Sequence, residues 1–260
     1  MAKHSFKGVQ IYFEEHGSGP CVVLIHGFLE GTWMWKDIIP IISKRNRVVA
    51  IDLPGHGKSD NIGYVHQMDE MAECVQSIVH ALGIRRVTLI GHSMGGYVAL
   101  AFAELYPDQV RKLVLYQSTA RDDSPIKKKH RTRAMRLIQT NHKSFIRNSI
   151  PMLFRPKNRA IFREQINQLK AEALKTSRQG VIAALTGMRD RPNREIILKF
   201  APYRVDIIAS DYDPRIPLEE SIYLSELSEN VNLVLIKDAG HISYIEAFDD
   251  TIQAFKQVMK

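Results

Sequence analysis

The sequence predicts an α/β fold, in which a mostly parallel β-sheet is flanked by helices. Short apolar runs alternate along the chain with stretches whose apolar residues recur at helical spacing, and this alternation is typical of parallel sheets covered on both faces. Between about residues 119 and 200 the alternation stops, and helical patterns follow one another without a convincing strand. We therefore expect an all-helical cap inserted into the α/β core.

The first part of the core begins with residues 9–14, where apolar and polar residues alternate as in a half-exposed edge strand. Residues 21–25 and 47–51 are short runs rich in β-branched residues, typical of strands buried on both faces. Two further strands are predicted at 86–90 and 112–116. Helical patterns separate these strands, at residues 33–42, 68–82 and 94–105.

The second part of the core repeats the pattern after the cap. Strands are predicted at 204–209 and 231–236, and helices at 217–227 and 243–258. Within the cap, helical patterns occur near residues 129–141, 144–153, 158–175 and 178–189. We therefore divide the chain into core residues 1–118, a helical cap or lid of residues 119–200, and core residues 201–260.

The composition is that of an ordinary globular protein, with 45% hydrophobic and 25% charged residues in a chain of 260. No run approaches the roughly 18 apolar residues of a transmembrane helix, and residues 1–15 lack an apolar signal core. We therefore expect a cytoplasmic protein without a transmembrane segment. Cys21 and Cys74 fall in apolar stretches and are expected to be buried free thiols.

The positive charge is concentrated in the predicted cap. Residues 121–199 contain 20 lysines and arginines against 6 acidic residues, a net charge of +14, so the remainder carries −6 of the overall +8. One interpretation is an anionic substrate or partner, such as an acyl-thioester carrier or an acidic lipid. The other is that a cluster such as residues 127–129 is a solvated face. Specific nucleic-acid binding is not expected, because no array of aromatic residues is interleaved with the basic ones.

The motif Gly91-His92-Ser93-Met94-Gly95 lies between the strand at 86–90 and the helix at 94–105. In this setting G-x-S-x-G forms a turn so tight that its central residue is strained and glycine is required on both sides. Such strain is tolerated mainly where it presents a side chain for chemistry. By composition the motif arises by accident in about one chain in ten of this length, so its position between strand and helix is what makes Ser93 the candidate nucleophile.

A serine hydroxyl is a poor nucleophile until a base takes its proton during the attack. His241 is the candidate base, because it follows Ala239-Gly240 just beyond the strand at 231–236. A loop at that place can lay an imidazole over Ser93.

Several segments together resemble the α/β-hydrolase fold superfamily over essentially the full length of the chain. The resemblance implies an eight-stranded sheet with a lid inserted after the sixth strand. The matching segments are His26-Gly27-Phe28, Asp52-Leu53-Pro54-Gly55-His56-Gly57-Lys58-Ser59, residues 91–96, residues 211–217 and Gly240-His241.

The resemblance implies an acid in the turn after the strand at 204–209, and Asp213 matches it in Asp213-Pro214-Arg215-Ile216-Pro217. Asp211 is the nearest rival, and by register we expect it to cap the turn. Some relatives place the acid after the preceding strand, which nominates Asp122 or Asp123. The family commonly has glycine where this chain has Ser210, which leaves the local turn less certain.

The resemblance also implies an oxyanion hole made by the backbone N–H groups of Phe28 and Met94. Met94 begins a helix, whose free N–H groups and dipole favour an anion. His26 is expected to brace a loop. The run 52–57 is expected to be a structural connection rather than a phosphate loop, because it matches neither a P-loop nor a G-x-G-x-x-G pattern.

These residues predict a serine hydrolase that cleaves a carboxylic ester or a related acyl substrate, with no metal or cofactor. Serine rather than aspartate at position 93 argues against haloalkane dehalogenase and epoxide hydrolase chemistry, and Phe28 disfavours the perhydrolase-like branch. Two alternatives stay open: a ligand receptor that keeps the triad with little turnover, and a hydrolase of carbon–carbon bonds. The candidate residues for an apolar pocket under the lid are Trp33, Trp35, Phe145, Phe154 and Met188.

Overall fold

The computed structural model describes residues 2–260, and these residues form one eight-stranded sheet. The strands are β1 (Ala2–Phe6), β2 (Val9–His16), β3 (Cys21–Ile25), β4 (Arg47–Ile51), β5 (Val87–His92), β6 (Val110–Tyr116), β7 (Val205–Ser210) and β8 (Val231–Ile236). Their order is β1-β2-β4-β3-β5-β6-β7-β8. Strand β2 is antiparallel to both of its neighbours, β1 and β4, and all the other pairs are parallel. The predicted α/β fold with a mostly parallel sheet is therefore confirmed.

Helices flank the sheet. They are α1 (Ile39–Ile42), α2 (Met68–Ala81), α3 (Met94–Leu105), α4 (Pro125–Ser149), α5 (Arg163–Ala173), α6 (Arg178–Asp190), α7 (Glu195–Phe200), α8 (Leu218–Ser225), α9 (Ser243–Glu246) and α10 (Phe248–Val258). Helices α2 and α3 pack against each other, and α8 and α10 pack against β8. Nearly all of α3 is buried, which matches its apolar sequence behind Ser93.

Three elements of the α/β core differ from the sequence prediction. Strand β1 was not expected, because Phe6 is its one buried residue and its pairing with β2, rather than an apolar pattern, defines it. The helix predicted at 33–42 is split into a 3₁₀ turn at Thr32–Trp35 and the short α1. The helix predicted at 243–258 is broken at Ala247, whose φ of −144° is not helical.

An insertion of helices and turns, α4 to α7, connects β6 to β7. Its first helix is kinked at Asn141, whose φ of −143° and ψ of 51° are not helical. Two buried arginines attach the end of the insertion to other parts of the chain: Arg191 pairs with Asp123, and Arg194 pairs with Asp69 and Glu104. We interpret this insertion as the cap, and the limits of residues 119–200 remain our prediction.

A cluster of three aromatic rings lies beneath the loop that carries His241. The Trp35 ring lies 6.4 Å from that of Tyr116 and 6.2 Å from that of Phe255, and all three side chains are buried. The Tyr116 hydroxyl lies 2.6 Å from the Ser243 hydroxyl, at the start of α9. Trp35 is therefore part of the core and does not line a substrate pocket.

Residues 2–260 include no helix that combines the length and the apolar character needed to cross a membrane. Cys21 and Cys74 are buried and unpaired, and burial raises the pKa of each thiol to about 12. Both thiols are therefore protonated at neutral pH and chemically quiet.

We predict that Trp35→Ala lowers the free energy of unfolding by about 3–5 kcal/mol, because it leaves a cavity between Tyr116 and Phe255. Urea denaturation followed by circular dichroism measures the loss. Phe200→Ala is the control: its ring is 74% exposed, so its removal is expected to change the free energy by no more than about 0.5 kcal/mol. Equal losses in the two variants would contradict the assignment of Trp35 to the core.

Candidate active site

Ser93 lies in the turn between β5 and α3 with a φ of 51° and a ψ of −114°, a conformation that is strained for any residue with a Cβ. The surrounding backbone leaves little room for another arrangement. A Cβ on Gly91 would overlap the carbonyl group of Gly95, and a Cβ on Gly95 would overlap the carbonyl group of Ile25. These two glycines let the turn pack directly against β3, so that the Ser93 side chain projects from it.

Hydrogen bonds hold both sides of the Ser93 peptide. Its N–H donates to the carbonyl oxygen of Tyr116 at 3.0 Å. Its own carbonyl oxygen accepts from the Ser118 hydroxyl at 2.7 Å. Both partners belong to the end of β6 and the residues that follow it, so the neighbouring strand fixes the position of the serine.

The structure brings together Ser93, His241 and Asp213, the three residues that we predict to be catalytic. His241 Nε2 lies 2.8 Å from Ser93 Oγ, and His241 Nδ1 lies 2.8 Å from Asp213 Oδ2 and 3.0 Å from Oδ1. A carboxylate only accepts, so Nδ1 carries the proton and Nε2 is left to accept from the serine hydroxyl. The arrangement can remove a proton from Ser93 while Asp213 stabilises the imidazolium that forms.

Asp213 is itself oriented by its own turn. Its Oδ1 accepts from the backbone N–H of Arg215 at 2.7 Å and from that of Ile216 at 3.1 Å. We expected Asp211 to cap this turn, and that expectation was wrong. Asp211 Oδ1 has no hydrogen-bond partner among residues 2–260, because the short turn points the carboxylate of Asp213, two residues later, back at these N–H groups.

The two other candidate acids, Asp122 and Asp123, do not contact His241. Asp122 is exposed and lies 3.4 Å from Lys128. Asp123 is buried, but its carboxylate binds the guanidinium groups of Arg131 and Arg191 rather than His241. Both acids follow β6, whereas the carboxylate that contacts His241 belongs to Asp213 in the turn after β7.

Ser210 has a defined role at the end of β7. Its hydroxyl accepts from Gln117 Nε2 at 2.6 Å, and the same nitrogen donates to the carbonyl oxygen of Gly240 at 2.6 Å. The hydroxyl that replaces the usual glycine therefore helps to hold the residue before His241. On the other side, the His241 N–H donates to the carbonyl oxygen of Leu153 in the helical insertion at 2.8 Å.

Phe28 and Met94, whose backbone N–H groups we predict to form an oxyanion hole, belong to two segments that meet at Ser93. A Cβ on Gly27 would lie 3.2 Å from the Cβ of Ser93, so the loop before Phe28 passes directly beside the serine. Within residues 2–260 neither N–H group donates a hydrogen bond. Both are therefore available to an external acceptor, and Met94 also begins α3, where the helix dipole favours negative charge.

A buried carboxylate that sequence reasoning missed connects three loops of the site. Glu30 accepts from the Gly27 N–H at 2.7 Å, from His92 Nδ1 at 2.8 Å and from the Tyr244 hydroxyl at 2.9 Å. His92 Nε2 lies 3.1 Å from the carbonyl oxygen of His241. No sequence motif predicts the role of Glu30, because its partners His92 and Tyr244 are distant from it along the chain.

The two charges of this network support each other. Burial by itself would raise the pKa of Glu30, but the charge of His92 and its hydrogen bond outweigh burial and hold the pKa below the usual 4.5. Burial would likewise lower the pKa of His92, yet the charge and hydrogen bond of Glu30 raise it above 6.5. Below the raised pKa of His92, these two groups form an ion pair in the interior, one residue from the candidate nucleophile.

The segment after β4 is a structural connection. The Asp52 carboxylate accepts from the backbone N–H groups of Thr32 at 2.6 Å and Lys58 at 2.8 Å. His26 Nε2 accepts from the Leu53 N–H at 2.9 Å, and His26 Nδ1 donates to the Gly27 carbonyl oxygen at 2.7 Å. His26 thereby holds the loop before Phe28 in place.

A cavity of about 510 Å³ opens over Ser93 and His241. Phe145 and Met188 line it, as predicted. Trp33 and Phe154 do not: the indole of Trp33 lies beside Gly31, and Phe154 is buried against Phe162 with ring centres 6.4 Å apart. The acidic and basic side chains of the lining, with histidine counted as basic and His241 left out, are Glu30, His92, Asp123, Lys127, His130, Arg131 and Arg215. The cavity is thus less apolar than the sequence suggested.

Comparison with known proteins gives one family and several relatives. The family model described as the alpha/beta hydrolase fold matches residues 20–248. The solved structure of a thermophilic esterase from Thermogutta terrifontis, with malate bound, is 32% identical and superposes with a TM-score of 0.91 over 96% of this chain and 93% of that one. The enol-lactonase from Burkholderia xenovorans LB400 has a TM-score of 0.91 at 19% identity, over 99% of both chains, and shows likeness of fold alone.

Matches to curated proteins are shorter. A 2-hydroxy-6-oxononadienedioate/2-hydroxy-6-oxononatrienedioate hydrolase from Escherichia coli is 38% identical over 115 residues, which is 42% of this chain and 40% of that protein. The matched part of the chain spans 32% to 40% of the length of the curated relatives.

We predict that the Glu30–His92 pair stabilises the fold in a defined pH window. Because the pKa of Glu30 is lowered, its contribution is present above about pH 4.5 and is lost as the pH falls through the folded pKa. Because the pKa of His92 is raised, its contribution is present below about pH 6.5 and is lost as the pH rises through the folded pKa. Glu30→Gln should therefore cost most, about 3 kcal/mol, between these two values.

Urea denaturation from pH 4 to 9 tests this window. The difference between wild type and Glu30→Gln should be largest near pH 5.5 and shrink on either side. Glu164→Gln, on the exposed face of α5, is the matched control and should follow the wild type throughout. A constant difference across the pH range would argue against the ion pair.

Proposed function

The chain belongs to the α/β-hydrolase family, and on that premise we propose that it is a serine hydrolase that cleaves carboxylic esters through an acyl-enzyme on Ser93. The observation that carries the proposal is the unbroken contact from Asp213 through His241 to Ser93, with 2.8 Å at each step. The strained turn places the serine oxygen at the wall of a cavity. A chain of these three groups is the arrangement that makes a hydroxyl nucleophilic.

In the first half-reaction Ser93 Oγ attacks the ester carbonyl carbon while His241 Nε2 takes the serine proton. The tetrahedral intermediate collapses, the bond to the alcohol oxygen breaks, and His241 gives its proton to the departing alcohol. In the second half-reaction His241 takes a proton from water as the water oxygen attacks the acyl-serine carbonyl. The bond to Ser93 Oγ then breaks, His241 returns the proton to Ser93, and the carboxylic acid leaves. Asp213 holds the Nδ1 proton throughout and stabilises the charged imidazolium.

The negative charge of each tetrahedral intermediate falls on the former carbonyl oxygen. We assign its stabilisation to the backbone N–H groups of Phe28 and Met94, which have no other acceptor among residues 2–260. In other hydrolases the loss of one such donor costs about 2.7–4 kcal/mol of transition-state stabilisation. His26 and Glu30 support this loop through the carbonyl group and the N–H group of Gly27.

Two further observations support an ester as the substrate. The Thermogutta esterase is 32% identical over almost the whole chain. The cavity of about 510 Å³ falls within the range of pockets for small and medium ligands. The mechanism uses only side chains and backbone groups of this chain together with water.

A second candidate function is hydrolysis of a carbon–carbon bond in a diketone-like substrate. It is favoured by the identity of 38% to the Escherichia coli hydrolase over 115 residues. The same serine, histidine and aspartate would serve, with a carbanion in place of the alkoxide as the leaving group. Product analysis separates the two, because an ester releases an alcohol whereas a diketone releases a ketone or its enol.

We predict that Ser93→Ala, His241→Ala and Asp213→Asn each lower kcat for 4-nitrophenyl butyrate by about 10³-fold or more, because the three groups act as a unit. Circular dichroism checks that each variant is folded. Asp122→Asn is the matched control, since its carboxylate is exposed and remote from His241, and it should stay within about twofold. If Asp213→Asn kept the wild-type kcat while Asp123→Asn lost it, the catalytic acid would be Asp123 and not Asp213.

We also predict many turnovers per chain, which distinguishes an enzyme from a receptor on the same fold. An aryl phosphonate should label one site, Ser93, and Ser93→Ala should remain unlabelled by mass spectrometry. Wild type should then release many equivalents of nitrophenol from the butyrate ester. Labelling of Ser93 with no more than one equivalent released would indicate the receptor.

A further inference from the structure

Arg215 lies on the turn that orients the proposed catalytic acid. Its backbone N–H donates to Asp213 Oδ1, and its side chain lines the cavity together with Ser93 and His241. The neighbouring residues Pro214 and Ile216 line the same wall. Arg215 therefore belongs to the wall of the same cavity as Ser93 and His241.

The charge of Arg215 has no counter-ion. Its guanidinium forms neither a hydrogen bond nor an ion pair with any group of residues 2–260. The other cations of the lining differ in this respect: Arg131 binds the carboxylate of Asp123, and Lys127 lies 3.9 Å from Glu220. An arginine side chain stays protonated throughout the physiological range, so the cavity contains a permanent unpaired positive charge.

The two carboxylates of the lining are already committed to other partners. Glu30 is held by His92, Tyr244 and the Gly27 N–H. Asp123 is held by Arg131 and by Arg191. Neither is available to Arg215, so any anion that binds this guanidinium comes from outside the chain.

The environment of Arg215 favours such an anion. The residue is exposed to solvent, but it lies in the wall of a cavity and not on an open surface. Desolvation by the surrounding atoms and the charge of Arg131 lower the pKa of its guanidinium. Between cavity walls of low dielectric constant, the attraction between opposite charges is screened less than on an open surface. Arginine also binds carboxylates with two parallel hydrogen bonds, which fixes the orientation of the ligand.

We propose that the substrate is an ester that carries a carboxylate, and that Arg215 binds this carboxylate while Ser93 attacks the ester carbonyl. The proposal rests on the proposed function and names the substrate class of the same site. Phe145, Leu185 and Met188 supply an apolar stretch of the cavity wall for the carbon chain between the two groups. Half-esters of short dicarboxylic acids have this chemistry, and so do esters of hydroxy acids.

Binding of a substrate carboxylate by Arg215 differs from general electrostatic attraction by the positively charged helical insertion. Of the basic residues at 121–199, the cavity lining includes Lys127, His130 and Arg131, and Arg215 lies outside that segment. Surface charge acts over a distance and is screened by salt. A bound carboxylate on Arg215 instead changes KM for one class of substrate, and the change persists at 0.15 M salt.

The test compares esters that differ only in charge. In one arm, 4-nitrophenyl hydrogen glutarate is set against the 4-nitrophenyl ester of glutaramic acid, in which an amide replaces the carboxylate. In the other arm, the butyrate ester of 3-hydroxypropanoate is set against that of 3-hydroxypropanamide. The first arm places the charge on the acyl side and the second on the alcohol side.

Wild type should prefer the anionic ester at least tenfold in kcat/KM in one of the two arms. Arg215→Gln should lower that preference by about tenfold to a hundredfold, mainly through KM of the anionic ester, and Arg215→Lys should lower it less. Arg189→Gln removes the same charge from a residue outside the cavity lining, paired with Asp190, and should change neither the preference nor the rate. Circular dichroism confirms that each variant is folded.

Equal rates for charged and neutral esters in both arms would overturn the proposal, as would a preference that Arg215→Gln leaves intact. Titration calorimetry with glutarate and with glutaramide, the uncharged diamide, keeps this result separate from the proposed function. If no ester is hydrolysed but glutarate binds to wild type and not to Arg215→Gln, the ester hydrolase assignment fails and the carboxylate site stands. If esters are hydrolysed and glutarate binds no better than glutaramide, the carboxylate site fails alone.

Discussion

The arrangement of the site depends on one backbone conformation, that of Ser93. For a residue with a Cβ, a φ of 51° and a ψ of −114° raise the conformational free energy by about 1–3 kcal/mol. The surrounding structure therefore has to disfavour the other backbone conformations by more than this amount. Gly91 and Gly95 allow the turn to contact β3 and itself without a side chain in between. The carbonyl oxygen of Tyr116 and the hydroxyl of Ser118 then hold the peptide on both sides. The strain is maintained by the rigid centre of the parallel sheet.

The second constraint is the buried pair of Glu30 and His92. Its hydrogen bonds reach the loop before Phe28, the nucleophile turn and the carbonyl oxygen of His241. In a medium of low dielectric constant such contacts are strong, and each unpaired member would be costly. The pair therefore favours a single relative placement of three loops that the chain brings from positions far apart in sequence. Preorganised groups of this kind do not have to rearrange during the reaction.

The helical insertion and the turn after β7 form much of the cavity wall. The insertion contributes Phe145 and Met188 to the wall, and its Leu153 carbonyl group holds the N–H of His241. The turn after β7 contributes both Asp213 and Arg215, whose side chains have different tasks in our proposals. Loops and insertions on a rigid sheet are where specificity commonly resides. The overall positive charge of residues 121–199 is a poorer guide, because several of its arginines bind Asp69, Glu104 and Asp123.

The sequence by itself predicted the α/β fold, most strands and helices, and the residues Ser93 and His241. These predictions rest on local patterns: hydrophobic periodicity, glycines beside a serine, and a loop just after a strand. Asp213 was predicted from the resemblance to the α/β hydrolases, with other acids as rivals, and the tertiary structure brings it to His241. Other features could be recognised only in the tertiary structure. They are strand β1, the capping by Asp213 of the turn after β7, the burial of Phe154, the Glu30–His92 pair and the unpaired Arg215. The physical reason is that burial and charge pairing depend on groups from distant segments, such as Glu30 and Tyr244, which no local pattern relates.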